Sequence, residues 1–130
     1  MKTLFLSLAV LLLASGCATI QTARNFDGKM VDGHARPLAT ITTENYGYYL
    51  FGQPNLPLIV GNPYQPNEDT CLFFEDTVVV DNNIIMANNE ARRLGAKQVV
   101  NIESEVSWTG SFSLWVVWKK LVFTSVVATE

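Results

Sequence analysis

The stretch NNIIMANNEARRLGAKQVVNIESEVSW, Asn82 to Trp108, changes its period half-way along. In the first half Ile84, Ala87, Ala91 and Leu94 recur at i, i+3, i+7 and i+10, one face of a helix, while Asn88, Asn89, Arg92 and Arg93 fall largely away from it. Asp81 is placed to cap the N-terminus, since its carboxylate can accept from the free N–H groups of the first turn. Arg92 and Arg93 complement the dipole at the other end, and Gly95 stands where a left-handed residue terminates a helix. From Gln98 the period is two. Val100, Ile102, Ser104, Val106 and Trp108 share one side, and Val99, Asn101, Glu103, Glu105 and Ser107 the other, the pattern of a half-buried antiparallel strand.

Downstream, Thr109-Gly110-Ser111 reads as a hairpin turn. Ser113 to Ala128 is then a long strand, apolar on both faces except at Lys119 and Lys120, as an interior strand requires. A hairpin here brings Glu103 and Glu105 toward the lysine pair, although its register is open and a slip of one residue exchanges the faces. Upstream, Cys71 to Asp81 reads as a strand with Thr77–Val80 at its heart. Gly52 to Asp69 holds four of the five prolines, which leaves room only for a short edge strand at Leu56–Val60. Leu38 to Phe51 is rich in β-branched and aromatic residues and reads as a strand, with Gly47 marking a bulge or a close backbone approach. The expected fold is α+β: an antiparallel sheet of four to five strands, one helix packed on one face, in a single domain over residues 37–130.

The N-terminus follows different rules. One lysine, Lys2, precedes an apolar run from Leu4 to Ala14, too short for a transmembrane helix but of the proportions of a secretory signal. The run ends Leu13-Ala14-Ser15-Gly16-Cys17. That motif resembles the lipobox of bacterial lipoproteins, with Ala14 where the family favours leucine. The resemblance implies cleavage of residues 1–16 and lipidation of Cys17 with diacylglycerol and palmitate-type chains. With Ala18 rather than aspartate after the cysteine, it also implies the outer membrane in a Gram-negative host. Residues 17–36 show no sustained period and read as the lipidated cysteine and a flexible tether. The single histidine, His34, falls there.

Without the signal the chain keeps eight basic against 12 acidic residues, a net charge of −4 and no basic cluster, which argues against nucleic acid as a partner. If Cys17 carries lipid, Cys71 has no partner in the chain, and its position before Leu72-Phe73-Phe74 suits a buried thiol. No nucleophile elbow, phosphate loop or zinc-protease motif occurs, and too few Cys and His remain for a structural zinc site. Glu75 and Asp76 are adjacent and point apart if they lie on a strand. The reading is of a non-enzyme with no metal and no cofactor. A hydrolase built on scattered carboxylates is the least favoured alternative.

Aromatic residues cluster instead. Tyr46, Tyr48, Tyr49 and Phe51 lie within six residues, and Trp108, Phe112 and Trp115 surround the expected turn. Such residues either fill the core or form a contact surface for a protein partner or lipid. A small-molecule or lipid-binding pocket between sheet and proline-rich loop, lined by Tyr48, Phe51 and Tyr64, is the alternative. EARRLGAKQVVNIESEV, with Ala91, Gly95, Ala96 and Val99 in order, resembles small bacterial α+β domains. These include envelope lipoproteins of unknown function and a family described as heavy-metal-binding, whose ligands are missing here. YGYYLFG and PLIVGNP are similar to segments of the same lipoproteins.

Overall fold

The structure is a computed structural model that describes residues 18–24, 36–111 and 116–130. Among the described residues, six strands and one helix follow in the order β1 (Ala18–Ala23), β2 (Pro37–Leu50), β3 (Pro57–Gly61), β4 (Cys71–Phe73), α1 (Val80–Arg93), β5 (Gln98–Ser111) and β6 (Val117–Thr129). All pairings are antiparallel, and the sheet runs β4-β3-β2-β6-β5. The other edge of β2 is shared end to end: β1 pairs with Thr40–Asn45, and β3 with Gly47–Tyr49. The α+β architecture is as the periods indicate, with one strand more than expected.

That strand is β1. Ala18–Ala23 was expected in the tether, yet it lies in the sheet, and Ala18 is only 2% exposed. Six residues with apolar side chains as small as alanine give little periodic signal. Their order comes from partners distant in sequence. The Ile20 amide donates to Asn67 Oδ1 (2.8 Å), Asn67 Nδ2 donates to the Ile20 carbonyl (3.2 Å), and the Asn67 amide donates to the Ala18 carbonyl (2.9 Å). Asn67, at φ 64°, adopts the left-handed conformation that asparagine tolerates and so offers β1 a one-residue substitute for a strand. His34 and Cys17 lie outside the described residues.

Alternation on β2 and β6 sorts the faces. Ala39, Ile41, Thr43, Asn45, Gly47 and Tyr49 turn toward the helix side and are buried. Opposite them Ala128, Val126, Thr124, Val122 and Lys120 do the same. Helix α1 lies over one half of this face. Ala87 and Ala91 approach the sheet closely and form a cluster with Ile41, Val126 and Ala128, joined by Ile20, Leu94 and Val99. A second cluster, Tyr49, Val60, Val78 and Val122, continues the core past the start of α1.

The helix face is as the spacing indicates, with two differences. Its N-cap is Val79, without a side-chain hydrogen bond, and Asp81 lies inside the first turn. Asn83 is also buried: its Nδ2 donates to the Thr43 and Val122 carbonyls at 3.1 and 2.8 Å, fastening the first turn to both interior strands. The other end closes as expected. Gly95 has φ 82°, and the Ala96 and Gly95 amides return to the Ala91 and Arg92 carbonyls.

Thr77–Val80 is not a strand, despite its β-branched residues. The Thr77 carbonyl accepts from Asn45 Nδ2 and Asn82 Nδ2, and its hydroxyl donates to the Gly61 carbonyl, so it is bound by side chains rather than by a ladder. On β5, Asn101 has φ 51° and the pairing with β6 slips by one residue between Val100 and Glu103. This bulge exchanges the expected faces of Val99 and Val100, while Glu103 to Trp108 keep the expected alternation. Val99 and Ser104 both lie on the helix side, and Val100 goes with Glu103 and Glu105. The glutamates face Ser125 and Phe123 rather than the lysines, so the expected ion pair is not formed. Pairing also continues to Ser111–Val117, past the expected turn at Thr109–Ser111.

Candidate functional site

Among the described residues, the helix-side face of the sheet beyond the N-terminus of α1 is covered by the segment leading into the helix. Here lie Tyr49 from β2, Lys120 and Trp118 from β6, and Trp108 from β5, which register brings onto one face. Tyr49 is fully buried, and its hydroxyl donates to Asp76 Oδ1 at 2.6 Å. Lys120 Nζ is 3.6 Å from the same oxygen and lies 5.5 and 5.6 Å from the ring centres of Tyr49 and Trp108. The two rings meet edge-on at 5.3 Å. A buried ammonium is thus compensated by one carboxylate and two π-faces.

Burial first, and the bond to the Asp76 carboxylate second, push the Tyr49 hydroxyl well above the ordinary tyrosine range. The phenol keeps its proton and serves as a donor to Asp76. The cluster locks the segment before α1 against the sheet.

Outside it, Phe51, Gly52, Trp108 and Trp118 line an open notch of about 270 Å³. Phe51, at the β2–β3 turn, is 60% exposed and Trp108 37%. The turn is fixed by the Phe51 amide donating to the Val116 carbonyl at 2.7 Å. A flat apolar or aromatic group fits such a floor, with the Lys120 charge behind it.

The aromatic residues singled out in the sequence are therefore divided. Phe51 and Trp108 meet at the notch. Tyr49 is core, because it alternates with Tyr48 on β2, and it cannot be part of a contact surface. Tyr46 and Tyr48 point to the opposite face of the sheet. Phe112 and Trp115 lie outside the described residues. The expected pocket of Tyr48, Phe51 and Tyr64 is not assembled: Phe51 and Tyr64 flank opposite ends of β3, and Tyr48 faces away from the notch. Cys71 is a half-buried free thiol on β4.

Lys120 and Asp76 were not anticipated as a pair. One signal was available: two consecutive lysines on a strand cannot share a face, so one of them had to enter the interior. Its counter-ion, across the fold in a non-repeating segment, left no trace in the sequence. Among the described residues, no group of three or more His, Cys, Asp or Glu is placed to hold a metal ion, and no helix is long and apolar enough to cross a membrane. Comparison with protein-family models, curated proteins and solved structures returns no match.

Proposed function

We propose that this chain is a lipid-anchored bacterial envelope protein, held at the outer membrane in a Gram-negative host. Its small domain acts without catalysis, through protein contact or structural support. The observation that carries the reading is Leu13-Ala14-Ser15-Gly16-Cys17 at the end of a signal-like run. Two or more acyl chains, at about 0.8 kcal/mol per buried CH₂, make such attachment stable. The non-catalytic part is supported by the state of the polar groups beside the notch: Tyr49, Asp76 and Lys120 satisfy one another. The contact part is supported by Phe51 and Trp108, large apolar side chains in reach of solvent.

Growth in labelled palmitate tests the anchor: label is expected on the intact protein and lost in Cys17→Ser. An unlabelled wild type refutes it. A photo-crosslinking residue at Trp108 tests the contact, with a discrete adduct expected in intact envelopes and none from the same group at Asn89 on the helix. The open notch also favours a second reading, a small-molecule or lipid-binding module. Under that reading a flat apolar ligand quenches tryptophan fluorescence saturably, and no protein adduct forms at Trp108.

A further inference from the structure

The face of the sheet turned away from α1 carries a strip of aromatic and aliphatic side chains. Tyr46 and Tyr48 meet edge-on at 6.1 Å on β2. Tyr48 pairs with Ile59 on β3, Ile59 pairs with Phe73 on β4, and the Phe73 ring lies 6.4 Å from that of Phe74. Phe73 is 58% and Phe74 77% exposed. Lys119 Nζ sits over the Tyr46 ring at 4.1 Å. Among the described residues no helix covers this face, since α1 packs on the other.

The position of Ala18 says what meets the strip. Ala18 is buried, paired with Asn45 next to Tyr46, and its carbonyl is bound by Asn67. A peptide step separates Cα atoms by about 3.8 Å, so a lipid on Cys17 enters the bilayer within one residue of a fixed point in the sheet. No slack remains to lift the domain away from the headgroups.

We infer that the strip Tyr46–Tyr48–Ile59–Phe73–Phe74 rests in the headgroup region of the membrane that holds the lipid. This rests on the anchored reading above. Its chemistry suits that layer: tyrosines with an apolar body and a polar tip, two exposed phenylalanines at the sheet edge, and a lysine whose stem lies along a ring. Glu44 pairs with Phe123 on the same face, and exposed Glu75 follows Phe74. The strip therefore has no net attraction for anionic lipid, and zwitterionic phosphatidylcholine is the fitting surface. The notch of Phe51 and Trp108, on the other face, is left open to the aqueous side.

The test uses the lipidated full chain in phosphatidylcholine vesicles containing a lipid spin-labelled near its headgroup. A bimane fluorophore is placed at position 74 (Phe74→Cys with Cys71→Ser) or, as a control, on the helix (Asn89→Cys with Cys71→Ser). Both replaced sites, Phe74 and Asn89, are exposed, so folding is not at stake there, and circular dichroism checks the Cys71→Ser background. The spin label is expected to lower emission at position 74 by at least about twofold, as burial of roughly 5–10 Å into the interface implies, and to leave position 89 unchanged. Equal quenching at both sites, or none at position 74, in protein that carries palmitate overturns the inference and leaves the anchor standing. Absence of palmitate overturns both.

Discussion

Gly47→Ala gives the sharpest test of the packing between β2 and β3. A Cβ built on Gly47 lies 2.7 Å from Val60 Cγ1, 3.0 Å from the Ile59 carbonyl oxygen and 3.1 Å from Val60 Cα. Two of those atoms are backbone, and the third is a branch of a fully buried side chain. Strand β3 must shift, and overpacking of this kind costs about 1–3 kcal/mol. Replacing a glycine whose φ is ordinary also removes unfolded-state freedom, which returns about 0.4–1 kcal/mol. The net expectation is a loss of about 1–2 kcal/mol, read from urea unfolding followed by circular dichroism. Val60→Ala removes the nearest clash but creates a cavity, so the double variant is expected to be less damaged than the sum of the single ones. The recovery is incomplete, because the Ile59 oxygen and Val60 Cα remain. A neutral Gly47→Ala, or strict additivity with Val60→Ala, refutes the close approach as the reason for glycine.

Three further expectations concern the polar contacts. Tyr49→Phe keeps the ring and removes the bond to Asp76, whose side chain is 29% exposed and can recruit water. A loss of about 1–2 kcal/mol in urea unfolding is expected, and an unchanged midpoint contradicts the role given to that bond. Glu90 is held below its usual value of 4.5 chiefly by hydrogen bonds from Arg93, with Thr22 adding a smaller effect. Its contribution, about 0.2–0.5 kcal/mol, is present above the ordinary glutamate range and disappears as pH falls through the lowered folded value. Glu90→Gln is therefore expected to narrow the stability difference between pH 7 and pH 3. Asn67→Ala removes two side-chain bonds to β1 and strains a left-handed residue, whereas Asn67→Gly removes only the bonds. Hydrogen exchange over residues 18–23 is expected to quicken in both, and global stability to fall further in the alanine variant.

Regular elements with strong periods were legible. The helix face through Ala87, Ala91 and Leu94, the Gly95 terminus and the two long C-terminal strands follow from spacing alone. What escaped depends on contacts between distant segments. Asn83 looks like an exposed residue until its amide is seen bridging β2 and β6. The bulge at Asn101 exchanges the faces of Val99 and Val100 without any glycine or proline to announce it. Thr77 has the propensity of a strand, but side-chain amides claim its carbonyl. Of the candidate site, Phe51 and Trp108 were named and do converge. For Tyr49 the sequence leaves core and contact surface both open, because four aromatics in six residues hide which alternate ones face inward, and the structure puts it in the core.

The pairing of β2 with β6 has a consequence for how the chain is born. It joins residues 37–50 to residues 117–129, so one edge of β2 has no mate until β6 has been made, while its other edge can already pair with β1 and β3. Any premature stop after β5 leaves one edge of the long strand β2 unpaired, a substrate for quality-control proteolysis rather than a smaller working protein.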